Sequence, residues 1–255
     1  MSYTAEKNPW LVCPQPRPRA LMRLFCFPYA GGSAAIYRRW HEEFPPDVEV
    51  CAIQLPGRGG RLQETLQTSL GPLVEKLAPA IVDYLDKPFA FFGHSMGALI
   101  GFELARRLRA AQDVRPAHLF ISGRSAPQLE NRTAPIHDLP EAELLEKLRE
   151  LNGTPREVLE NPELMRLMLP MLRADFSLCE TYAYSRQRPL ECPITAFGGW
   201  HDREVSRESL SKWSEQTEAA FVLRMLPGDH FFLNAYRPLL VETISRELYQ
   251  NVAYA

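Results

Sequence analysis

The stretch that decides the fold is Phe-Ala-Phe-Phe-Gly-His-Ser-Met-Gly-Ala at positions 89–98. Its first four residues are apolar and strand-like, and the residues that follow it repeat apolar side chains at helical spacing. A Gly-x-Ser-x-Gly motif between a strand and a helix is typical of a nucleophile elbow, whose strained turn lifts Ser95 Oγ above the sheet edge. The helix N-terminus behind it favours developing negative charge. We therefore predict a catalytic serine at position 95, since the alternative, a glycine-flanked loop serine, does not explain why a buried strand stops there.

The size and composition of the chain are those of a soluble enzyme. Its 255 residues are 45% hydrophobic and 24% charged, which is enough for one large core with an inserted subdomain. The net charge of −2 gives no argument for nucleic-acid binding. No apolar run approaches the roughly 20 residues that span a bilayer, and residues 1–10 lack the pattern of a secretory signal. We expect a cytoplasmic protein with neither nucleic-acid nor membrane partners.

The cysteines are odd in number and widely scattered, and no two form a Cys-x-x-Cys pair. Cys26 and Cys51 lie inside apolar strand-like runs, so we predict that they are buried free thiols. Such scattered, unpaired cysteines also favour a cytosolic protein. The five positions are Cys13, Cys26, Cys51, Cys179 and Cys192.

Strand-like and helical patterns alternate along most of the chain. Residues 11–20 form a proline-rich extended lead-in. This alternation predicts an α/β fold, with a mostly parallel sheet covered by helices on both faces. The predicted strands are 22–27, 48–53, 89–92, 118–122, 193–198 and 220–226, and the predicted helices are 33–43, 69–86, 97–111, 206–216 and 236–250.

One region, residues 127–189, breaks the alternation. It contains only helical patterns, at 139–151, 155–160 and 162–184. Between two strands of a sheet, such a helical insertion is expected to lie over the active site as a lid, and the alternative is a pair of ordinary surface helices. In either case we expect one apolar stripe of the helix at 162–184 to pack against the rest of the protein. Its residues are Leu164, Leu167, Met168, Met171 and Leu172.

A catalytic serine in this fold needs an acid and then a histidine, in that chain order. His230 lies in a turn directly after the last predicted strand, and Asp202 lies in the loop after the preceding strand. An aspartate there can accept a hydrogen bond from the imidazole and fix its tautomer. Asp229 is the weaker acid because neighbouring side chains diverge, and His201 competes with His230 but has no suitable acid after it. His94, inside the elbow, is expected to pack or to contact the lid.

The oxyanion of an acyl-transfer reaction needs two backbone N–H donors. We predict that the Met96 amide, at the start of the elbow helix, is one of them. The other is expected from the glycine-rich loop after the first long strand, where the Ala30 amide is the candidate. The same Ala-Gly-Gly-Ser sequence is also an ordinary strand-to-helix turn with Ser33 as the cap, and it could do both jobs.

Five motifs along the chain resemble those of the type II thioesterases, the discrete α/β-hydrolases that accompany nonribosomal peptide and polyketide synthases. The resemblance runs in order from about residue 23 to residue 248. Vertebrate medium-chain fatty-acyl thioesterases share several of the motifs. The five motifs of this chain are Phe-Pro-Tyr-Ala-Gly-Gly-Ser at 27–33, Leu-Pro-Gly-Arg at 55–58, Phe-Gly-His-Ser-Met-Gly-Ala at 92–98, Leu-Arg-Ala-Asp at 172–175 and Gly-Asp-His-Phe-Phe at 228–232.

The resemblance implies a single α/β-hydrolase domain over 1–255 that hydrolyses acyl groups from the phosphopantetheine arm of a carrier protein and so clears stalled or misprimed synthases. It puts Ser95, Asp202 and His230 in the triad positions and implies neither a metal nor another cofactor. Met168 and Met171 are lid candidates for acyl specificity. The alternatives are a medium-chain fatty-acyl thioesterase, an ester hydrolase or acyltransferase with the same triad, and a non-catalytic binding protein, which should have lost a triad member.

The resemblance also implies an acidic carrier partner, and we expect the enzyme to act as a monomer. Arginines beside the Ala30 loop could guide docking of such a carrier, because arginine offers bidentate contacts to carboxylates and phosphates. The alternative is that most of them form a solvated face. The candidates are Arg17, Arg19, Arg38, Arg39, Arg58 and Arg61.

Overall fold

The centre of the protein is a seven-stranded sheet. The computed structural model describes residues 8–130 and 134–252. The strand order is β1-β3-β2-β4-β5-β6-β7, and every neighbouring pair is parallel except β1 with β3. The predicted mostly parallel α/β sheet is confirmed. The strands are β1 (Leu11–Val12), β2 (Met22–Phe27), β3 (Val48–Ile53), β4 (Phe89–His94), β5 (His118–Ser122), β6 (Ile194–Gly199) and β7 (Phe221–Leu226).

Alternate residues of the central strands face two separate apolar cores. Phe25, Phe91 and Leu119 lie side by side in register and contribute to the core beneath the first two helices. Their neighbours Phe92 and Phe120 point to the opposite core, beneath the last helix. This period of two explains why the strands read as unbroken apolar runs: both faces are covered. The helices are α1 (Leu70–Ile81), α2 (Met96–Gln112), α3 (Glu141–Leu151), α4 (Arg156–Leu159), α5 (Pro162–Glu180), α6 (Arg207–Ser211), α7 (Phe232–Ala235) and α8 (Arg237–Val252).

Two predicted helices are shorter and tighter than the pattern indicated. Residues 33–43 form two 3₁₀ turns, Ala34–Tyr37 and Trp40–Glu42, and the stretch 206–216 forms α6 followed by the 3₁₀ turn Lys212–Gln216. In both regions the deeply buried side chains lie three residues apart, as Tyr37 and Trp40 do. That spacing is the period of a 3₁₀ helix, whose i and i+3 side chains share one face.

The lead-in segment contains a short strand and a disulfide bond. β1 pairs antiparallel with the end of β3 and brings Cys13 beside Cys51, to which it is bonded with a Cα–Cα distance of 4.4 Å. The prediction of a free thiol at Cys51 is therefore wrong. It failed because the pairing depends on β1, a two-residue strand that carries too little pattern to be predicted. Cys26 is a buried free thiol as expected.

The helices α3, α4 and α5 all lie between β5 and β6, where the insertion was predicted. They enclose a small apolar core of their own. The predicted stripe on α5 is partly wrong, because Leu164 and Leu167 are 42% and 72% exposed. The side chains of α5 that pack into this core with little exposure are Met165, Leu169 and Leu172. Within residues 8–130 and 134–252, no helix has the length and apolar character to cross a membrane.

Candidate active site

Ser95 lies in a strained turn between β4 and α2. Its backbone angles are φ 52° and ψ −113°, a conformation that L-residues rarely adopt, and its N–H donates to Ser122 O at 2.8 Å. A Cβ on Gly93 would lie 2.2 Å from the carbonyl oxygen of Gly97, and a Cβ on Gly97 would lie 2.1 Å from Phe27 O. The turn closes because neither position has a side chain. This is the geometry that the Gly-x-Ser-x-Gly motif predicted.

Asp202 and His230 meet at the same edge of the sheet. Asp202 Oδ2 lies 2.9 Å from His230 Nδ1, and its other oxygen accepts the backbone N–H groups of Glu204 and Val205 at 2.8 and 3.1 Å. The carboxyl side chain is fully buried, and the imidazole is 12% exposed. Because all of these contacts donate to it, the carboxylate is held in one orientation and can fix the histidine tautomer.

The elbow and this pair are joined through His94. Its ring centroid lies 5.0 Å from that of His230, and its Nδ1 lies 2.9 Å from Ser122 Oγ. Burial lowers the pKa of His94 well below its ordinary value, so this histidine is neutral and packs against the second one. Ser95 Oγ forms no hydrogen bond with another described residue. Hydrogen bonds between catalytic groups often tighten only in the complex with substrate.

The other candidates for the catalytic acid and histidine do not take part in the Asp202–His230 pair. Asp229 accepts from Phe231 N at 2.9 Å and from Asn152 Nδ2 at 3.2 Å, so it ties the His230 turn to the helical insertion. His201 is exposed. His137 bonds to Glu180 at 2.5 Å. Asp202 is therefore the acid that contacts His230.

The loop after β2 approaches the start of α2 closely. The position that a Cβ would take on Gly97 is 2.7 Å from the carbonyl carbon of Phe27 and 2.9 Å from Pro28 O. Within the described part of the chain, neither the Ala30 nor the Met96 backbone N–H has an acceptor. Both amides are therefore unpaired donors on segments that approach each other at Gly97.

Residues 22–248 match the family model of the thioesterase domain. The chain belongs to the thioesterase family. The thioesterase is 48% identical over 248 residues to gramicidin S biosynthesis protein GrsT of Aneurinibacillus migulanus, a match that covers 97% of each chain.

Two solved structures show the same fold at substantial identity. RedJ, a thioesterase from the prodiginine biosynthetic pathway in Streptomyces coelicolor, is 41% identical with a TM-score of 0.85, over 89% of this chain and 91% of RedJ. The type II thioesterase BorB from the borrelidin biosynthetic cluster is 37% identical with a TM-score of 0.86, over 94% of this chain and 97% of BorB. The resemblance drawn from the five motifs is confirmed.

The arginines expected to form a docking face are not all available for one. Arg58 and Arg61 are only 4% and 7% exposed, and Arg61 bonds to Glu64 and Gln54 O. Arg17 donates to the carbonyl groups of residues 41, 44, 45 and 48. For these three the prediction is wrong, because their guanidinium groups are used inside the thioesterase. Those that stay exposed are Arg19, Arg38 and Arg39, the last paired with Glu42.

Two of the matched motifs meet in a contact that sequence reasoning missed. Arg58, from the motif at 55–58, forms a bidentate ion pair with Asp175, from the motif at 172–175. The pair is buried, and Asp175 also accepts the N–H of Gly31 in the loop after β2. The available signal was an arginine and an aspartate in two of the five motifs, of which the arginine had been assigned to a docking face and the aspartate had no assigned role. Nothing in their spacing of 117 residues indicated that they touch.

The lid candidates Met168 and Met171 are half-buried on α5. Met168 packs against the small core of the insertion. The same helix covers the loop after β2, because a Cβ on Gly31 would lie 2.7 Å from Leu172 Cδ2. The insertion also reaches the histidine turn, where the Cβ position of Gly153 is 2.3 Å from Phe231 Cζ. The insertion thus contacts the loop after β2 through α5, and it contacts the histidine turn through the connection between α3 and α4.

Proposed function

We propose that this thioesterase hydrolyses acyl groups from the phosphopantetheine arm of carrier proteins, with Ser95, His230 and Asp202 as the catalytic triad. The observation that carries the proposal is the 2.9 Å contact between Asp202 and His230 beside the Ser95 elbow. The substrate class is supported by relatives in gramicidin S, prodiginine and borrelidin biosynthesis. The activity would be editing, the release of acyl groups that stall or misprime a synthase.

In the acylation half-reaction, Ser95 Oγ attacks the thioester carbonyl carbon while His230 Nε2 takes the hydroxyl proton. Asp202 keeps the other ring nitrogen protonated and stabilises the imidazolium that forms. The carbonyl oxygen becomes an oxyanion, which the amides of Ala30 and Met96 stabilise with two hydrogen bonds. The carbon–sulfur bond then breaks, and the pantetheine sulfur leaves as a thiol with the proton from His230.

In the deacylation half-reaction, His230 takes a proton from water, and the resulting oxygen nucleophile attacks the acyl-Ser95 ester. A second oxyanion forms at the same two amides. When it collapses, the acyl group leaves as a free acid, and Ser95 Oγ regains its proton from His230. The net reaction adds one water across the thioester bond.

We propose that the whole chain, 1–255, acts as one domain, with residues 127–189 as a lid over the acyl group. The contacts of α5 with Gly31 and of Gly153 with Phe231 support this position. Met168 and Met171 would adapt to acyl chains of different shape, because the unbranched thioether side chain is flexible.

The partner would be an acyl or peptidyl carrier domain, which implies a cytoplasmic location, and the enzyme would act as a monomer. An acidic carrier could dock through Arg19, Arg38 and Arg39, which are the exposed members of the six arginines named from the sequence. Exposed charges of this kind act mainly on the rate of association, and salt screens them.

The proposal is tested by Ser95→Ala, with Ser214→Ala, an exposed serine of the 3₁₀ turn after α6, as the matched control. Ser95→Ala should lower kcat by about 10⁴-fold or more, because the nucleophile is removed. The control should leave kcat unchanged. The measurement is release of free acid from an acyl-carrier protein, with the melting temperature of each variant recorded. Hydrolysis by Ser95→Ala at the wild-type rate would overturn the triad.

The substrate class is tested separately on the wild-type enzyme. We expect kcat/KM to be highest for the acyl-carrier thioester, lower for the same acyl group on pantetheine, and lowest for the corresponding oxygen ester. A preference for the oxygen ester would instead indicate an esterase. A preference for free medium-chain acyl thioesters over carrier-bound ones would favour the fatty-acyl alternative.

A further inference from the structure

A buried ion pair lies directly against the loop after β2. Asp175 Oδ2 accepts the N–H of Gly31 at 2.7 Å and Arg58 Nη1 at 2.7 Å, while its Oδ1 accepts Arg58 Nη2 at 2.6 Å. Arg58 Nη1 also donates to Gly32 O at 3.1 Å. The two side chains are 1% and 4% exposed. Burying both charges is costly, and the pair directs part of its hydrogen bonding to the backbone of one short turn.

The turn that they contact is Tyr29–Gly32. Gly32 N–H donates to Tyr29 O at 2.9 Å, and Gly31 has a φ of +78°, which together define a type II turn. The N–H that Asp175 binds belongs to the central peptide of this turn, between Ala30 and Gly31. In the type I alternative that peptide is rotated by about half a turn, and its carbonyl oxygen would then face the carboxylate. The ion pair therefore favours the type II form.

We propose that Asp175 is a positioning residue: with Arg58 as its counter-ion, it holds the Tyr29–Gly32 turn in the form that presents the Ala30 N–H to the reacting carbonyl oxygen. This inference rests on the proposed function, since it assumes that Ala30 is an oxyanion donor. The role goes beyond the triad, because neither side chain touches the reacting atoms.

The charge of each partner explains why both are needed. A carboxylate accepts the Gly31 N–H more strongly than a neutral group does. An unpaired carboxylate next to the Ala30–Gly31 peptide would also repel the oxyanion that forms in the reaction. Arg58 removes that repulsion with a bidentate contact and adds the bond to Gly32 O. The turn is thus held by a net-neutral unit.

The contact also couples the insertion to the turn. Asp175 lies on α5, and Leu172, one helical turn earlier, covers the same glycine at 2.7 Å from its Cβ position. Displacement of this part of α5 would withdraw both the acceptor and the side chain that cover Gly31. Movement of the insertion would therefore alter oxyanion binding as well as access to Ser95.

The test is Asp175→Asn, measured with an acyl-pantetheine thioester. We expect kcat to fall about 10- to 100-fold with KM within twofold, because a misplaced donor weakens transition-state binding. A trifluoromethyl ketone analogue, which adds to Ser95 and forms an oxyanion, should lose affinity by the same factor. The matching thioether, which has no carbonyl oxygen, should bind as before.

The matched control is Glu49→Gln, which breaks a second buried arginine–carboxylate pair outside the insertion. Glu49 on β3 bonds to Arg23 on β2 at 2.7 Å, near the start of both strands, whereas the turn follows the end of β2. This variant should leave kcat and ketone affinity unchanged. If Asp175→Asn does not fold, Arg58→Met/Asp175→Leu removes both charges and should show the same loss in kcat.

Three results would overturn the inference: a kcat within twofold of wild type, equal loss of ketone and thioether affinity, or the same loss in Glu49→Gln. Failure of the proposed function looks different. In that case the wild-type enzyme would not hydrolyse the thioester, or would do so without Ser95.

Discussion

The elbow at Gly93–Gly97 and the turn at Tyr29–Gly32 lie next to each other, yet they are held in different ways. The elbow is shaped by backbone packed on backbone: Cβ atoms on its glycines would lie 2.1 and 2.2 Å from main-chain atoms. The turn is held by side chains from other parts of the chain, with Asp175 lying 144 residues from Gly31 in sequence. The comparison teaches that the elbow owes its shape to the glycines within it, whereas the turn depends on side chains that are distant in sequence.

The largest expected effect comes from a change that leaves both segments intact. Asp202→Asn should lower kcat by about 10³- to 10⁴-fold, because the amide no longer fixes the His230 tautomer. The urea midpoint should change little, since the buried side chain keeps its shape. Asp229→Asn is the matched control and should retain activity within a few-fold. If the two results were exchanged, Asp229 would be the acid.

The next effect tests the comparison itself, by adding a methyl group to each segment. Gly97→Ala should destabilise the enzyme by about 3–5 kcal/mol and abolish most activity, because the methyl would overlap Phe27 O and no side chain can move aside. Gly31→Ala should cost only about 1–2 kcal/mol for the left-handed conformation. Its methyl meets Leu172 Cδ2, which can rotate away.

Urea unfolding and kcat/KM measure both variants, with Gly101→Ala as the control. Gly101 lies one turn after Gly97 on α2, and its Cβ would meet the nearest ring atoms at an ordinary 3.4 Å. We expect this control to be neutral or to gain about 0.5–1 kcal/mol, because alanine is the better helix former. Equal costs for Gly97→Ala and Gly31→Ala would remove the distinction between the two segments.

The smallest expected effect concerns the helix that holds the turn. Met168→Ala and Met171→Ala should change the ratio of kcat/KM between short and long acyl thioesters by about three- to tenfold. The change is small because one methylene contact in an apolar pocket discriminates only modestly between substrates. Their kcat on the best substrate should stay near that of wild type. Met165→Leu, at a buried position of the insertion, is the control and should leave the ratio unchanged. No change in either methionine variant would contradict a lid role for this face of α5.

The parts of the thioesterase that were predicted from sequence are those with a local signal. The six long strands were found because each is a mostly apolar run, and β2 to β6 are buried along their whole length. The elbow was found because strand, motif and helix are consecutive. The disulfide of Cys51 and the ion pair of Arg58 with Asp175 were not predicted, since each joins segments whose proximity exists only after folding. Arg58 in particular was predicted to be an exposed charge, because arginine is rarely buried without a partner and no partner was evident from the sequence.

The lead-in segment has a consequence for the behaviour of the sheet in solution. β3 would be an edge strand, but Leu11 and Val12 pair with its last two residues, and Arg17 bonds to Val48 O and, through its N–H, to the Glu49 carboxylate. The new edge is only two residues long and is followed by prolines at 14, 16 and 18, which cannot donate to a neighbouring strand. A chain shortened to begin after this segment would offer β3 as a template for pairing with other chains. Residues 8–18 therefore protect the sheet against edge-to-edge aggregation.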